Sequence, residues 1–268
     1  MKNLPKISVI VPSFNQGRYL DITLRSILDQ QYPLLELIVI DGGSTDECVQ
    51  IIRKYEGEIS YWCSEPDGGQ CKGIIKGFSR ATGEILCFLN SDDLFEPRTL
   101  HDVGRYFASH PNVDAVFGDS LWIDEEGNAL RPQKEIPFIR FIWLNTHNYV
   151  PGMSMFWRSS IYSRVGGLNS SFQLAFDADL WIRFSDHGRI KHVRRRWSRM
   201  RFYPEQKNRR LRQQSDQEDM VIRSRYWKDG RVPKTYRLRR AVALTIRIAW
   251  KLVTGCYSIG YRRYLDRV

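Results

Sequence analysis

The stretch "FLNSDDLFEP" places two adjacent carboxylates, Asp92 and Asp93, directly after the apolar run "EILCFL". Like charges at the exit of a buried strand repel, so the pair calls for a physical reason. Three uses compete. The carboxylates cap a following helix, although one Asp would suffice. They act as a general acid and base. Or they hold a divalent cation that in turn holds a diphosphate. Hard cations such as Mg²⁺ take carboxylate and phosphate oxygens, with only one or two protein carboxylates. The cation also removes the repulsion.

The elements around these acids give them a common address. "ISVIV" (7–11) is a continuous β-branched run, the pattern of a strand buried on both faces. "LELIVI" (35–40), "ISYWC" (59–63), "EILCFL" (84–89) and "DAVFG" (114–118) follow as further strands. Between them Leu20, Leu24, Ile27 and Leu28, then "STDECVQIIRKY", then Ile74, Ile75, Phe78 and Ala81, then Leu100, Val103 and Phe107 recur at helical spacing. Ser44 with Glu47 reads as a capping box, Gly83 as a helix stop and Pro97 as a helix start. This alternation predicts an α/β fold, a doubly wound and mostly parallel sheet. Ligands of such sheets bind beyond the carboxyl ends of the strands. That edge collects Pro12, Phe14 and Asn15, then Asp41, then Glu65 and Asp67, then Asn90, Asp92 and Asp93. Three of the four strand ends bring acids to it.

Further on the pattern loosens. "DEEGN" (124–128) reads as a turn between short strands and "SMFW" (154–157) as another strand. "FDADLWIRFSDHG" opens a helix with Asp177 and Asp179 in its first turn, where acids suit the helix dipole. The tail is basic. Residues 189–240 carry 19 Lys or Arg against 5 Asp or Glu, an excess larger than the net +11 of the whole chain. Arg240, Arg247, Lys251, Ser258 and Arg262 fall on one helical stripe, with apolar residues over the rest. Such a helix suits docking on its own domain, pairing with a second chain, or an anionic membrane surface. Five cysteines without metal-ligand spacing fit a reducing compartment. Neither a secretory leader nor an apolar stretch of spanning length is visible.

The ordered series "ISVIVPSFNQGRYLDITLRSILDQQYPLLELIVIDGGSTD", "SEPDGGQCKGIIKGFSRATGEILCFLNSDDLF" and "VGGLNSSFQLAFDADLWIR" resembles the family 2 glycosyltransferases of the GT-A fold, over about residues 5–205. The resemblance implies a nucleotide-sugar donor (UDP- or dTDP-sugar favoured), a Mg²⁺ or Mn²⁺ cofactor and inversion at the anomeric centre. It implies nucleotide contacts from Pro12, Phe14, Asn15, Asp41, Asp67 and Asp92, with Asp41 reading an imide N–H of the base; Lys72, where the sequence departs from the family, is a candidate contact to the diphosphate. Asp92 and Asp93 match the acidic metal motif. Asp177 matches the general base, with Asp179 as its orienting neighbour. The acceptor would be a hydroxyl of a glycan or lipid-linked sugar, in bacterial envelope polysaccharide or glycolipid synthesis.

The sequence departs from the family at four places. Gly42 stands where a second acid is common, and Asn90 where an Asp is. "CKGII" (71–75) replaces the usual Ser-Asp-Ala-Ile-Asn, and Tyr203 a frequent His; Arg201 or Lys207 is then the candidate to compensate in charge. The expected organisation is a transferase domain over 1–215 (nucleotide half 1–118, acceptor half 119–215) and a basic amphipathic helical tail over 216–268. The expected location is cytoplasmic, peripheral at the inner face of the plasma membrane, with anionic lipid met through 241–268. Three rival readings remain: a donor-binding homologue with impaired turnover, a nucleic-acid-binding protein using the basic, aromatic-rich tail, and a nucleotidyltransferase on a similar sheet, for which "PSFNQGRY" is a weak match to a Gly-rich phosphate loop. The second matches no known nucleic-acid module.

Overall fold

A computed structural model describes residues 4–257. The first part alternates as the periodicity predicts: β1 (Ile7–Ser13), α1 (Gly17–Leu28), β2 (Leu35–Asp41), α2 (Cys48–Lys54), β3 (Tyr61–Ser64), α3 (Gln70–Arg80) and β4 (Ile85–Phe88). Then come β5 (Leu94–Phe95), α4 (Thr99–Ser109), β6 (Ala115–Ile123), β7 (Ala129–Gln133), α5 (Arg140–Asn145), β8 (Met155–Arg158) and α6 (Ser159–Arg164). The chain continues through α7 (Phe176–His187), β9 (Ile190–Arg201), α8 (Lys207–Arg210), α9 (Arg212–Ser224) and α10 (Tyr236–Val253).

All nine strands join one sheet in the order β3-β2-β1-β4-β8-β6-β9-β5, with β7 hanging from β6. β3, β2, β1 and β4 are parallel. Every residue of β1 is buried, as expected of a strand that reads apolar without alternation. "DAVFG" does not extend this series directly. β8, the "SMFW" strand, lies between β4 and β6 and is antiparallel to both. A four-residue strand carries no mark of its direction, so its insertion was invisible to periodicity. β6 and β9 are again parallel, and β5 closes the far edge against β9. The core beneath β8 is aromatic: Trp157 meets Trp181 of α7 edge-on, with ring centres 5.3 Å apart.

Some local expectations are corrected. Ser44 does not cap α2: its hydroxyl bonds Asp41, and the helix begins at Cys48, whose N–H is taken by Asp46. Gly83 does not stop α3, which ends at Arg80. A Cβ there would come within 2.4 Å of the Ser8 hydroxyl, so Gly83 permits close approach to β1. Pro97 precedes rather than opens α4, which starts at Thr99 after Arg98 in a left-handed conformation.

The expected boundary after residue 215 falls inside α9, which packs on α7. Helix α10 lies on α5. Its basic stripe faces the protein: Arg247 and Lys251 both reach Glu135, and Arg247 also bonds the ring of His147. Its apolar residues Leu238, Val242, Ile246, Leu252 and Val253 are exposed. Ser258 and Arg262 of the expected stripe lie outside the described residues.

Candidate active site

The carboxyl ends of β1 to β4 open into a cavity of about 840 Å³. Pro12, Ser13 and Phe14 line it from β1, Gly42 and Gly43 from β2, Pro66 to Gln70 from the β3–α3 loop, and Asn90, Ser91 and Asp92 from β4. Gln173, Tyr203, Glu205, Lys207 and Arg210 wall it from the later half. Phe14 stands 60% exposed at this site, a free aromatic face for a planar ligand.

The two adjacent carboxylates separate in role. Asp92 lines the cavity; Asp93 is not among its lining residues. Asp93 accepts the Arg201 backbone N–H at 2.8 Å and the Asn90 amide at 3.1 Å. Asp92 takes one side-chain donor, the Tyr203 hydroxyl, at 2.9 Å. Burial pushes the Asp92 pKa above the usual carboxylate range, against the lowering pull of that phenol. Burial raises Asp93 further, helped by the charge of Asp92. Arg201 does not pair with either carboxylate side chain; its guanidinium holds the carbonyls of Asp92, Asp124 and Glu125.

Asp177 sits apart, in the first turn of α7. Burial lifts its pKa to about 6, opposed by the Ala178 N–H and the Asn148 amide. Asn148 donates to it at 3.2 Å. Asp179 does not face Asp177; its oxygens are held by Arg183 and Arg225. The side-chain contact to Asp177 comes from Asn148, not from Asp179.

The description "Glycosyl transferase family 2" belongs to the family model that matches residues 8–164 of this chain. The chain belongs to that family. An uncharacterized glycosyltransferase of Mycobacterium tuberculosis (strain H37Rv) is 33% identical over 185 residues, covering 68% of this chain and 70% of the relative. A PGL/p-HBAD biosynthesis glycosyltransferase of Mycobacterium bovis is 29% identical over 183 residues, covering 67% and 69%. In fold, the chain is similar to the GT-A glycosyltransferases. Staphylococcus aureus TarS 1-349 in complex with UDP-GlcNAc aligns with a TM-score of 0.65 at 19% identity, over 89% of this chain and 71% of that one. The mannosyltransferase PcManGT from Pyrobaculum calidifontis, in complex with GDP-Man and Mn²⁺, aligns with a TM-score of 0.63 at 16% identity, over 99% and 79%.

Within this family 2 glycosyltransferase, the other sequence candidates divide. Pro12, Phe14, Asp67 and Asp92 reach the cavity. Asp41 is fully buried behind it and saturated, accepting from the N–H groups of Gly43 and Ser44 and from the hydroxyls of Ser44 and Ser64. It builds the turn that presents Gly42 and Gly43. Asn15 ties this turn to β1 through the Thr45 N–H. Lys72 is exposed and lies against Gly68 rather than among the lining residues. The Asp67 side chain crowds two glycines. A Cβ at Gly42 would come 3.3 Å from the Asp67 carboxylate, and one at Gly73 would come 2.4 Å from it. Asp67 thus occupies the space that side chains at 42 and 73 would fill.

Asn148 and Glu218 were not picked out by the sequence. Glu218 of α9 accepts the backbone N–H groups of Gln173, Leu174 and Ala175, the residues leading into α7. Among the described residues no three His, Cys, Asp or Glu side chains gather into a metal cage. A buried carboxylate without a cationic partner, open to a cavity, still suits a Mg²⁺ or Mn²⁺ ion that takes its other ligands from a diphosphate and water. The fit is to Asp92 alone, not to the Asp92–Asp93 pair.

Proposed function

We propose that this glycosyltransferase moves a sugar, with inversion, from a nucleotide-diphosphate sugar (UDP- or dTDP-linked favoured) to a hydroxyl of a glycan or lipid-linked acceptor. The product would belong to bacterial surface polysaccharide or glycolipid. The observation that carries this reading is the buried Asp92 carboxylate at the floor of a large cavity that Lys207 and Arg210 also line. Phe14 and the Gly42–Gly43 turn would receive the nucleoside and Asp92 the metal-bound diphosphate. Lys207, held to the Gln173 carbonyl at 3.1 Å, and Arg210 would face its charge. When bound, Mg²⁺ or Mn²⁺ supplies neutralisation of the leaving diphosphate. Asp177, ionised above about pH 6, would take the proton of the attacking hydroxyl while Asn148 fixes its carboxylate. No helix among the described residues is long and apolar enough to cross a membrane. A peripheral place at the inner face of the plasma membrane belongs to the same proposal.

The test is calorimetric titration of the purified protein with UDP, dTDP and GDP, each with and without Mn²⁺. Metal-dependent binding of one nucleotide is expected. A folded protein that binds none of them overturns the reading.

A further inference from the structure

The polarity of α10 is inverted relative to a helix that packs on a core. The side it turns to the protein carries Arg240, Ala243, Arg247 and Lys251, at helical spacing. Arg247 donates twice to Glu135, at 3.0 and 2.9 Å, and Lys251 meets the same carboxylate at 3.0 Å. Arg240 reaches the Thr146 carbonyl at 3.5 Å. Ala243, fully buried, fills the centre of this contact. The opposite side carries Leu238, Val242, Ile246, Leu252 and Val253, exposed by 67, 42, 40, 59 and 88%. Among the described residues nothing covers them. A soluble surface does not ordinarily leave such a stripe open, and one this continuous marks a contact site.

Two observations select the partner. From residue 230 to residue 257 the chain has seven Lys or Arg and no Asp or Glu. Five of the seven, Arg231, Lys234, Arg237, Arg239 and Arg240, are exposed just before or within the first turns of the helix. An apolar stripe flanked only by positive charge complements an anionic lipid surface, where the stripe enters the acyl boundary and the cations meet headgroups. A second copy of the same stripe would bring like charges together. Trp250, 41% exposed on the flank of the stripe, has the amphipathic ring that favours the interface.

We propose that α10 is a membrane-docking helix that lies in the plane of an anionic bilayer by its outward apolar face, while its basic stripe clamps it to the catalytic domain. The clamp also sets where the site meets the membrane. Three successive residues join them: Thr146 and His147 contact Arg240 and Arg247 of α10, and Asn148 holds Asp177. A lipid-linked acceptor anchored in the bilayer would then be presented on the Asp177 side. This last step rests on the function proposed above; the docking surface does not.

The experiment compares the full chain with the triple variant Val242→Asp, Ile246→Asp and Leu252→Asp. Both are sedimented with vesicles of phosphatidylcholine alone and with added phosphatidylglycerol. Nucleotide titration and light scattering run in parallel. The wild type should sediment with the anionic vesicles at least about tenfold more than with the neutral ones, and the variant should lose that binding. Brominated acyl chains should quench wild-type fluorescence, with the quenching reduced in Trp250→Phe. Wild type that stays in the supernatant, or a variant that sediments equally well, overturns the proposal. So does a wild-type dimer, without vesicle binding, that the variant breaks into monomers. Retained nucleotide binding in the variant shows that it is folded. Failure of nucleotide binding in both proteins, with vesicle binding intact, would sink the donor and acceptor reading proposed above and leave the docking surface standing.

Discussion

Tyr203 donates its hydroxyl to Asp92 at 2.9 Å, joining the end of β9 to the end of β4 across 111 residues. The phenol packs on Tyr19, ring centres 5.5 Å apart, and the Arg201 guanidinium covers Tyr19 from another side. Tyr203 is therefore wired to the one acid of the pair that lines the cavity. The phenol lowers the pKa of Asp92 while burial raises it. Tyr203→Phe should push the Asp92 pKa higher still. A cation then competes with a proton over more of the pH range. Metal-dependent nucleotide binding should weaken on acidification at a higher pH in the variant than in the wild type. Calorimetric titration from pH 5.5 to 8 checks this; superimposable profiles would remove Tyr203 from the proposed metal site.

Asp92 and Asp93 should separate cleanly on substitution. Asp92→Asn removes the charge that faces the cavity and should weaken Mn²⁺-dependent nucleotide binding by about 100-fold, with little change in melting temperature. Asp93→Ala leaves the Arg201 N–H and the Asn90 amide without their acceptor. Each buried unmet donor costs about 1–3 kcal/mol, so this variant should lose stability. Thermal melts and titrations on both variants decide it. Equal loss of binding without loss of stability would return Asp93 to the metal.

The first four strands and their acids were legible because both faces of β1, β2 and β4 are buried, which forces uninterrupted apolar runs that end where solvent begins. The pairing of β8 between β4 and β6 was not, since it depends on contacts far apart in sequence. The two-faced composition of α10 was also plain in the sequence. Which face turns inward was not, because Glu135, the group that decides it, lies 112 residues from Arg247. The acids of the site were found by type and position. Asn148, which holds Asp177, and Glu218, which holds the segment before α7, sit in an irregular segment and on a polar helix, where no period singles them out.

Glu218 holds the approach to the proposed base. Its carboxylate accepts from Gln173, Leu174 and Ala175 at 3.1, 2.9 and 2.9 Å. Burial raises its pKa, but those three N–H groups and the Gln214 amide outweigh burial, and the net shift is downward. Glu218→Gln keeps the shape and removes the charge. The segment should loosen and transfer should fall about tenfold, the scale of a sub-ångström misplacement, while nucleotide affinity stays unchanged. A fall in nucleotide affinity of the same size would mean that Glu218 supports the donor cavity instead. The sign of the pH effect is fixed as well. A depressed folded pKa gives stability that is present above the unfolded value and lost as pH falls through the folded one. The wild type's stability advantage over Glu218→Gln should therefore shrink in acid.

Asp177 carries the opposite shift, and with it a pH profile that is itself a test. Its folded pKa of about 6 lies above the usual 3.8 because burial penalises the charged form. Transfer should rise with pH to a plateau, with a midpoint near 6 set by ionisation of the base. Asp177→Asn should abolish transfer and spare nucleotide binding. Asn148→Leu removes an amide that favours the ionised form, so its midpoint should move upward. Stability runs the other way. The folded state binds this proton more tightly than the unfolded chain, so the stabilisation is complete below about 3.8 and is lost as pH rises through about 6. Asp177→Asn should consequently melt higher than the wild type at pH 7.5, with the gain vanishing near pH 4. A variant that melts lower at pH 7.5, or that still transfers sugar, would show that Asp177 is an ordinary helix-start acid and that the base lies elsewhere.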